Sequence, residues 1–183
     1  MFLQSKVMIV FFVGYMASGK STLGKRVAKR LSLPFFDMDK EIEKTTKITI
    51  TEIFKTQGEE AFRHMETEFL NSFIQKETHA ILSTGGGTPC FNNNIELLNN
   101  NGLTVYLKRP AKELANRIHN SKKSRPLVDH LNLEELEKFI ETHLSGREKY
   151  YLKSELNVSR DKQSLQNLTH LLQPYLNDEP EGN

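Results

Sequence analysis

Apolar residues crowd into one unbroken run at 7–13, VMIVFFV, and then recur at four-residue steps at Leu23, Val27 and Leu31. A run of that length without a polar position predicts a strand buried on both faces, and the four-residue spacing predicts one face of an amphipathic helix. Shorter segments of the same kind at 34–37, 80–83, 103–107 and 156–158 predict four more strands, with helical or mixed stretches between them. Strands alternating with helices predict an α/β fold whose mostly parallel sheet is covered on both faces.

The intervening stretches carry their own start and stop signals. Thr49 and Glu52 have capping-box spacing for a helix bearing Ile53 and Phe54, and Gly58 is expected to end it. Phe62, Met65, Phe69 and Phe73 mark the next helix, and Pro110 suits the first turn of one containing Leu114 and Ile118. Residues 133–152 form a longer predicted helix with Leu136, Ile140 and Leu144 on one stripe. The asparagine-rich stretch 92–101 reads as a helix closed by Gly102, and Leu165, Leu168, Leu172 and Tyr175 mark a terminal helix. Residues 119–131 include Ser121-Lys122-Lys123-Ser124-Arg125-Pro126 and lack apolar periodicity, which predicts a mobile basic loop inside the domain. Residues 177–183 are polar and predict a frayed tail, leaving one domain over 1–176.

Composition narrows the classes. A chain of 183 residues holds one full α/β core and is too short for two ordinary ones. Charged residues make up 26% and the formal net charge is +2, so there is no broad basic field of the kind that nucleic-acid binders carry. Cys90 has no partner for an internal disulfide, which fits a reducing cytoplasm. The N-terminal apolar run leads into a glycine loop rather than a small-residue cleavage site, and no other stretch approaches a membrane span. The expectation is a cytoplasmic protein with no membrane or nucleic-acid partner, and a monomer because no exposed apolar seam is evident.

The chemistry is concentrated in a few places. Gly14-Tyr15-Met16-Ala17-Ser18-Gly19-Lys20-Ser21 fits G-x-x-x-x-G-K-[ST] between a strand and a helix, the setting of a phosphate-binding loop. Its backbone N–H groups and the helix N-terminus would face phosphate oxygens, which makes Gly14, Ala17, Ser18, Gly19, Lys20, Ser21 and Thr22 candidate nucleotide contacts. Lys20 would reach the β- and γ-phosphates of ATP and the Ser21 hydroxyl would ligate Mg²⁺. Asp37 and Asp39 follow the second strand; one carboxylate could serve the Mg²⁺ shell and the other accept a hydrogen bond from a substrate hydroxyl. Gly85, Gly86 and Gly87 end the third strand, where backbone can pass close to a ligand.

Arg147 falls on the stripe of Ile140, Leu144 and Tyr151, so a cation occupies an otherwise buried face and calls for an anion such as a substrate carboxylate. Arg63 could do the same or form a surface pair with Glu59, four residues earlier. Arg125 and Lys123 could supply the mobile cation that phosphoryl transfer uses. The histidines show no metal-ligand spacing, and His64, His79 and Cys90 read as structural.

With these elements in order, the chain resembles the shikimate kinases. The likeness is carried by the phosphate loop, Phe36-Asp37-Met38-Asp39, Glu52-Ile53-Phe54, Gly58-Glu59-Glu60-Ala61-Phe62-Arg63 and Thr84-Gly85-Gly86-Gly87. It continues through Asn101-Gly102-Leu103-Thr104-Val105-Tyr106-Leu107, Arg125-Pro126-Leu127 and Arg147-Glu148-Lys149-Tyr150-Tyr151. The resemblance implies a three-layer, nucleoside-monophosphate-kinase-like P-loop fold with parallel strands in the order 2-3-1-4-5. It also implies ATP-dependent, Mg²⁺-requiring phosphorylation of the shikimate 3-hydroxyl on the route to chorismate and the aromatic amino acids. By the same resemblance Asp39 is the candidate base and Asp37 acts through the Mg²⁺ shell. Arg63 and Arg147 would grip the shikimate carboxylate, Gly85, Gly86 and Gly87 would line the pocket, Arg125 would close from the lid, and Arg117 would stack on adenine. Many members carry glycine where this chain has Ala17, and a positive φ there would strain an alanine. Other readings of the same loop are a kinase for another polyol acid such as gluconate and a catalytically silent nucleotide-binding module.

Overall fold

In the computed structural model, residues 8–121 and 128–176 are described. Strand β1 (Met8–Val13) lies at the centre of a parallel sheet, paired with β3 (His79–Ser83) on one side and β4 (Gly102–Leu107) on the other. The outer strands are β2 (Phe35–Asp37), beside β3, and β5 (Leu156–Val158), beside β4, which gives the order 2-3-1-4-5. The central position explains the unbroken apolar run. Ile9, Phe11 and Val13 enter one core while Val10 and Phe12 enter a second on the opposite face, so residues 9–13 are all buried.

Helices α1 (Lys20–Leu31) and α7 (Leu165–Leu176) cover the Val10 face through Leu23, Val27, Leu168 and Leu172. The Ile9 face is covered by α2 (Met38–Thr46), α3 (Ile50–Lys76), α4 (Asn94–Asn101), α5 (Ala111–His119) and α6 (Leu133–Tyr151). The layers are therefore helix, sheet and helix, as the alternation of elements predicts.

Several boundaries shift for local reasons. Gly58, at φ 84° and ψ 173°, is not helical, so α3 is two helical segments meeting at a kink, and Gly58 ends the first of them as expected. Thr49 accepts from the Glu52 N–H, one half of the expected capping box. Pro110 stands just outside α5 as its N-cap, with ψ 145°, rather than in the first turn. Helix α4 starts later than the asparagine run because Asn92 and Asn93 both have positive φ. Most of the basic lid, 122–127 with Lys123 and Arg125, and the tail 177–183 lie outside the described residues. Val128, just beyond the lid, is buried in the Ile9-side core. Among the described residues no helix is long and apolar enough to cross a membrane.

Candidate active site

Parallel strands place all their carboxyl ends on one edge of the sheet, and the loops leaving those ends carry the predicted chemistry. The loop after β1 wraps with Gly14 at φ 140° and Gly19 at φ 102°, and Gly19 is the N-cap of α1 with no side-chain cap. The first turn of α1 holds no acidic residue, so its N–H groups and positive dipole end are left for an anion. Lys20, the first residue of α1, is 8% exposed and folds back over the loop, its Nζ donating to the carbonyls of Gly14 at 2.7 Å and Tyr15 at 2.9 Å. Burial pulls its pKa down to about 8, while Asp39 and Asp37 work in the opposite direction and Arg147 adds to the depression.

Ala17 adopts φ 61°, the left-handed conformation that a Cβ disfavours by roughly 1–2 kcal/mol. Glycine costs about 0.5–1 kcal/mol more than alanine in lost chain entropy. Ala17→Gly is therefore expected to raise the unliganded protein's stability by about 0.5–1 kcal/mol, read as a small upward shift in a reversible thermal melt. An unchanged or lowered Tm would mean that the loop bears no strain at this position.

Asp37 and Asp39 separate at the end of β2 instead of sharing a strand face. Asp37 is the last strand residue and N-caps α2, and Asp39 lies in the first turn of that helix. Asp37 stands in register with Ser83 of β3, and the Ser83 hydroxyl is 3.3 Å from that of Ser21. An oxygen donor set of one carboxylate and hydroxyls suits Mg²⁺, which keeps several waters and relies on substrate phosphates. Among the described residues no group of three or more His, Cys, Asp or Glu side chains is placed to hold a metal alone.

The glycine triplet after β3 is enclosed by charge. A Cβ on Gly85 would stand 2.6 Å from Glu66 Oε1 and 3.2 Å from Asp39 Oδ1, and one on Gly87 would stand 2.6 Å from Arg63 Nη1. Any larger residue would displace these groups, which accounts for glycine at both positions. Arg63, 8% exposed, donates to Glu66 at 2.7 Å and to Glu59 at 2.8 Å, and its guanidinium lies over the Phe91 ring at 4.3 Å. Burial opposes its charge, but Glu66 and Glu59 outweigh that and hold its pKa up. Glu66 is fully buried and also accepts from the Thr88 hydroxyl; burial pushes its pKa up despite both partners. The pair anticipated with Glu59 exists, yet the arginine is a buried cation bridging two carboxylates beside the glycines.

Arg147 reaches the same place from α6. Its positive charge acts on Tyr151, whose hydroxyl donates to the Gly86 carbonyl at 2.5 Å. One turn earlier, His143 Nδ1 lies 2.8 Å from the hydroxyl of Tyr15, whose pKa burial raises to about 12. Burial and Arg147 together lower that of His143. Phe139, Thr142, His143, Gly146 and Arg147 line a cleft of about 410 Å³.

On the other flank of the loop, Arg117 of α5 brings Nη2 to 3.6 Å from the position a Gly19 Cβ would take, and it lines an open cleft of about 860 Å³ with Pro110, Glu113 and Asn116. The fold thus gathers Lys20, Ser21, Asp37, Asp39, Arg63, Gly85, Gly86, Gly87 and Arg147 at one sheet edge, with Arg117 on the far side of the loop. Arg125 lies outside the described residues. Glu66, Tyr15 and His143 belong to the site without having been anticipated. The available signal was Glu66 itself, an acid one turn after Arg63 on the same helix.

A phosphate loop between the first strand and first helix of a 2-3-1-4-5 parallel sheet, with a lysine and two aspartates around it, defines a P-loop kinase. The family model described as shikimate kinase matches residues 16–175. The shikimate kinase of Azobacteroides pseudotrichonymphae is 41% identical over 165 residues, covering 90% of this chain and 97% of that protein. A crystal structure of shikimate kinase from Bacteroides thetaiotaomicron superposes with a TM-score of 0.85 at 35% identity, over 91% of this chain and 98% of the other. Shikimate kinase from Acinetobacter baumannii, solved in complex with shikimate, gives 0.80 at 32% identity over 94% of each chain. The chain belongs to the shikimate kinase family.

Proposed function

We propose that the protein transfers the γ-phosphoryl group of ATP to the 3-hydroxyl of shikimate, giving shikimate 3-phosphate for the route to chorismate and the aromatic amino acids. The observation that carries the reading is the convergence on one glycine triplet of Arg63 at Gly87, Asp39 beside Gly85, and Tyr151 at Gly86 with the charge of Arg147 acting on it from the same helix. Two guanidinium groups recognise a carboxylate, and a carboxylate of the protein opposite them accepts from a hydroxyl, which suits a compact ring carrying both groups.

In this reading Arg63 and Arg147 hold the acceptor's carboxylate and fix the ring, and Gly85, Gly86 and Gly87 let it lie against backbone. Asp39 orients the reacting hydroxyl and takes its proton. Gly14, Ala17, Ser18, Gly19 and Thr22 cradle the nucleotide phosphates, with Lys20 neutralising charge on the transferring group. Ser21 and Asp37 would hold Mg²⁺, which supplies further charge neutralisation on the phosphates. Arg117 packs against the nucleotide base, and Arg125 closes from the lid to complete the charge balance and exclude water. The large exposed apolar side chains among the described residues are spread over three helices, Phe54 on α3, Leu133 and Leu152 at opposite ends of α6 and Tyr175 on α7, which supports a monomer; the reading is completed by action in the cytoplasm as a single domain over 1–176.

Arg147→Ala tests the acceptor half. Losing a charge-assisted contact to a carboxylate removes about 1.5–3 kcal/mol of binding, so the KM for shikimate is expected to rise roughly 10- to 100-fold with kcat changed much less. A fall in kcat with KM unchanged would remove Arg147 from the carboxylate site.

A further inference from the structure

Two arginines, Arg109 and Arg160, share the Glu113 carboxylate beside the phosphate loop with Arg117 close by, and of the three the roles given so far use only Arg117. Arg109, two residues beyond β4, is 7% exposed. Its Nε donates to the carbonyl of Ser18, inside the loop, and its Nη1 donates to Glu113. Its Nη2 lies 3.7 Å from the point a Gly19 Cβ would occupy, next to Arg117 Nη2 at 3.6 Å from the same point. Glu113 is already shared, because Arg160 Nε donates to both of its oxygens at 2.9 and 3.0 Å. Burial opposes the charge on Arg109, and Arg117 and Arg160 oppose it further, beyond what Glu113 relieves. A desolvated cation among other cations is costly until an anion joins it. The loop it touches presents unopposed helix N–H groups to that same anion.

We propose that Arg109 is a nucleotide-binding residue, supplying a fixed positive charge to the phosphate chain from the Gly19 flank of the loop, with Glu113 moderating its strength. The inference rests on the nucleotide-binding reading of residues 14–22. The hydrogen bond to Ser18 holds the side chain in place before ligand arrives, so little rotamer freedom is lost on binding. Its cationic partner Arg117 is exposed and adaptable, so the two arginines divide the work: one is fixed at the phosphates and the other is free to follow the base.

ADP binding measured by titration calorimetry on the full chain, at low and moderate salt, decides the matter with two variants. Arg109→Met is expected to weaken ADP roughly tenfold, the size of one lost charge-assisted contact. Glu113→Gln keeps an acceptor for Arg109 but removes the competing charge, so ADP is expected to bind about twofold tighter, most visibly at low salt. If Arg109 only props the loop, loosening its carboxylate anchor weakens ADP as well. Weaker binding in Glu113→Gln, or unchanged binding in Arg109→Met, overturns the proposal. Should Arg109→Met fail to fold, the sign of the Glu113→Gln effect still decides. Failure of the unaltered protein to bind ADP overturns the nucleotide reading itself, whereas ADP binding with insensitive variants overturns only the role of Arg109.

Discussion

Lys20→Ala should lower kcat roughly 10²–10³-fold, the usual cost of removing one preorganised charge from a transferring group. The loss should not come from unfolding. Lys20 is a buried cation whose pKa is drawn down to about 8, so its charge costs the unliganded fold stability below that pH. Substituting it removes that cost together with two hydrogen bonds to Gly14 and Tyr15, and the Tm should change little. A large drop in Tm would show that the lysine props the loop rather than serving phosphate. The same depressed pKa sets a pH signature. In the free enzyme the ammonium is present below about pH 8 and is lost as pH rises through it. The kcat/KM for ATP should therefore fall above about pH 8, whereas kcat should hold to higher pH, because bound phosphates restore the lysine's charge. A kcat that falls over the same range as kcat/KM would contradict the contact with phosphate.

Glu66→Ala should produce the largest loss of stability. Its carboxylate is fully buried and is the partner at 2.7 Å that neutralises Arg63. Removing one member of a buried pair costs about 3–5 kcal/mol, because the other charge stays behind without full compensation. At the lower figure the Tm of a chain this size should fall by about 6–12 °C. Glu59→Ala removes the other partner of the same arginine, but that carboxylate is 54% exposed, and the change should cost less than about 1 kcal/mol. Glu66→Ala should also raise the KM for shikimate, since Arg63 would lose the anchor that holds it against Gly87. Equal thermal shifts in the two variants would mean that burial does not distinguish the two ion pairs.

The sheet was legible because strands buried on both faces leave a mark that little else makes. The run at 7–13 places β1 in the centre, and a strand there must separate two cores, as Ile9 and Val10 do. The phosphate loop was legible for a different reason: its spacing is dictated by backbone approach to phosphate rather than by packing. Arg147 was legible as a cation on an apolar stripe. Arg63 was ambiguous because helical spacing offers a surface partner at i−4, and only tertiary packing under Phe91 and the glycines shows that the pair with Glu66 is buried. Tyr15 and His143 could not be linked in advance, since the bond between them spans 128 positions of chain. Arg109 left only an ambiguous local mark, Glu113 four residues on, which reads as an ordinary surface pair. Its contact with the Ser18 carbonyl depends on β1 and β4 being neighbours in the sheet, which the local sequence does not reveal.

The most direct test is one coupled assay of ADP release from MgATP with shikimate, quinate, gluconate or no acceptor, followed by ³¹P and ¹³C NMR of the product. Turnover with shikimate well above the other acceptors, and a phosphate on the 3-oxygen, is the expected result. Turnover indifferent to shikimate, or a phosphate elsewhere on the ring, would contradict the assignment of Asp39, Arg63 and Arg147 to this acceptor.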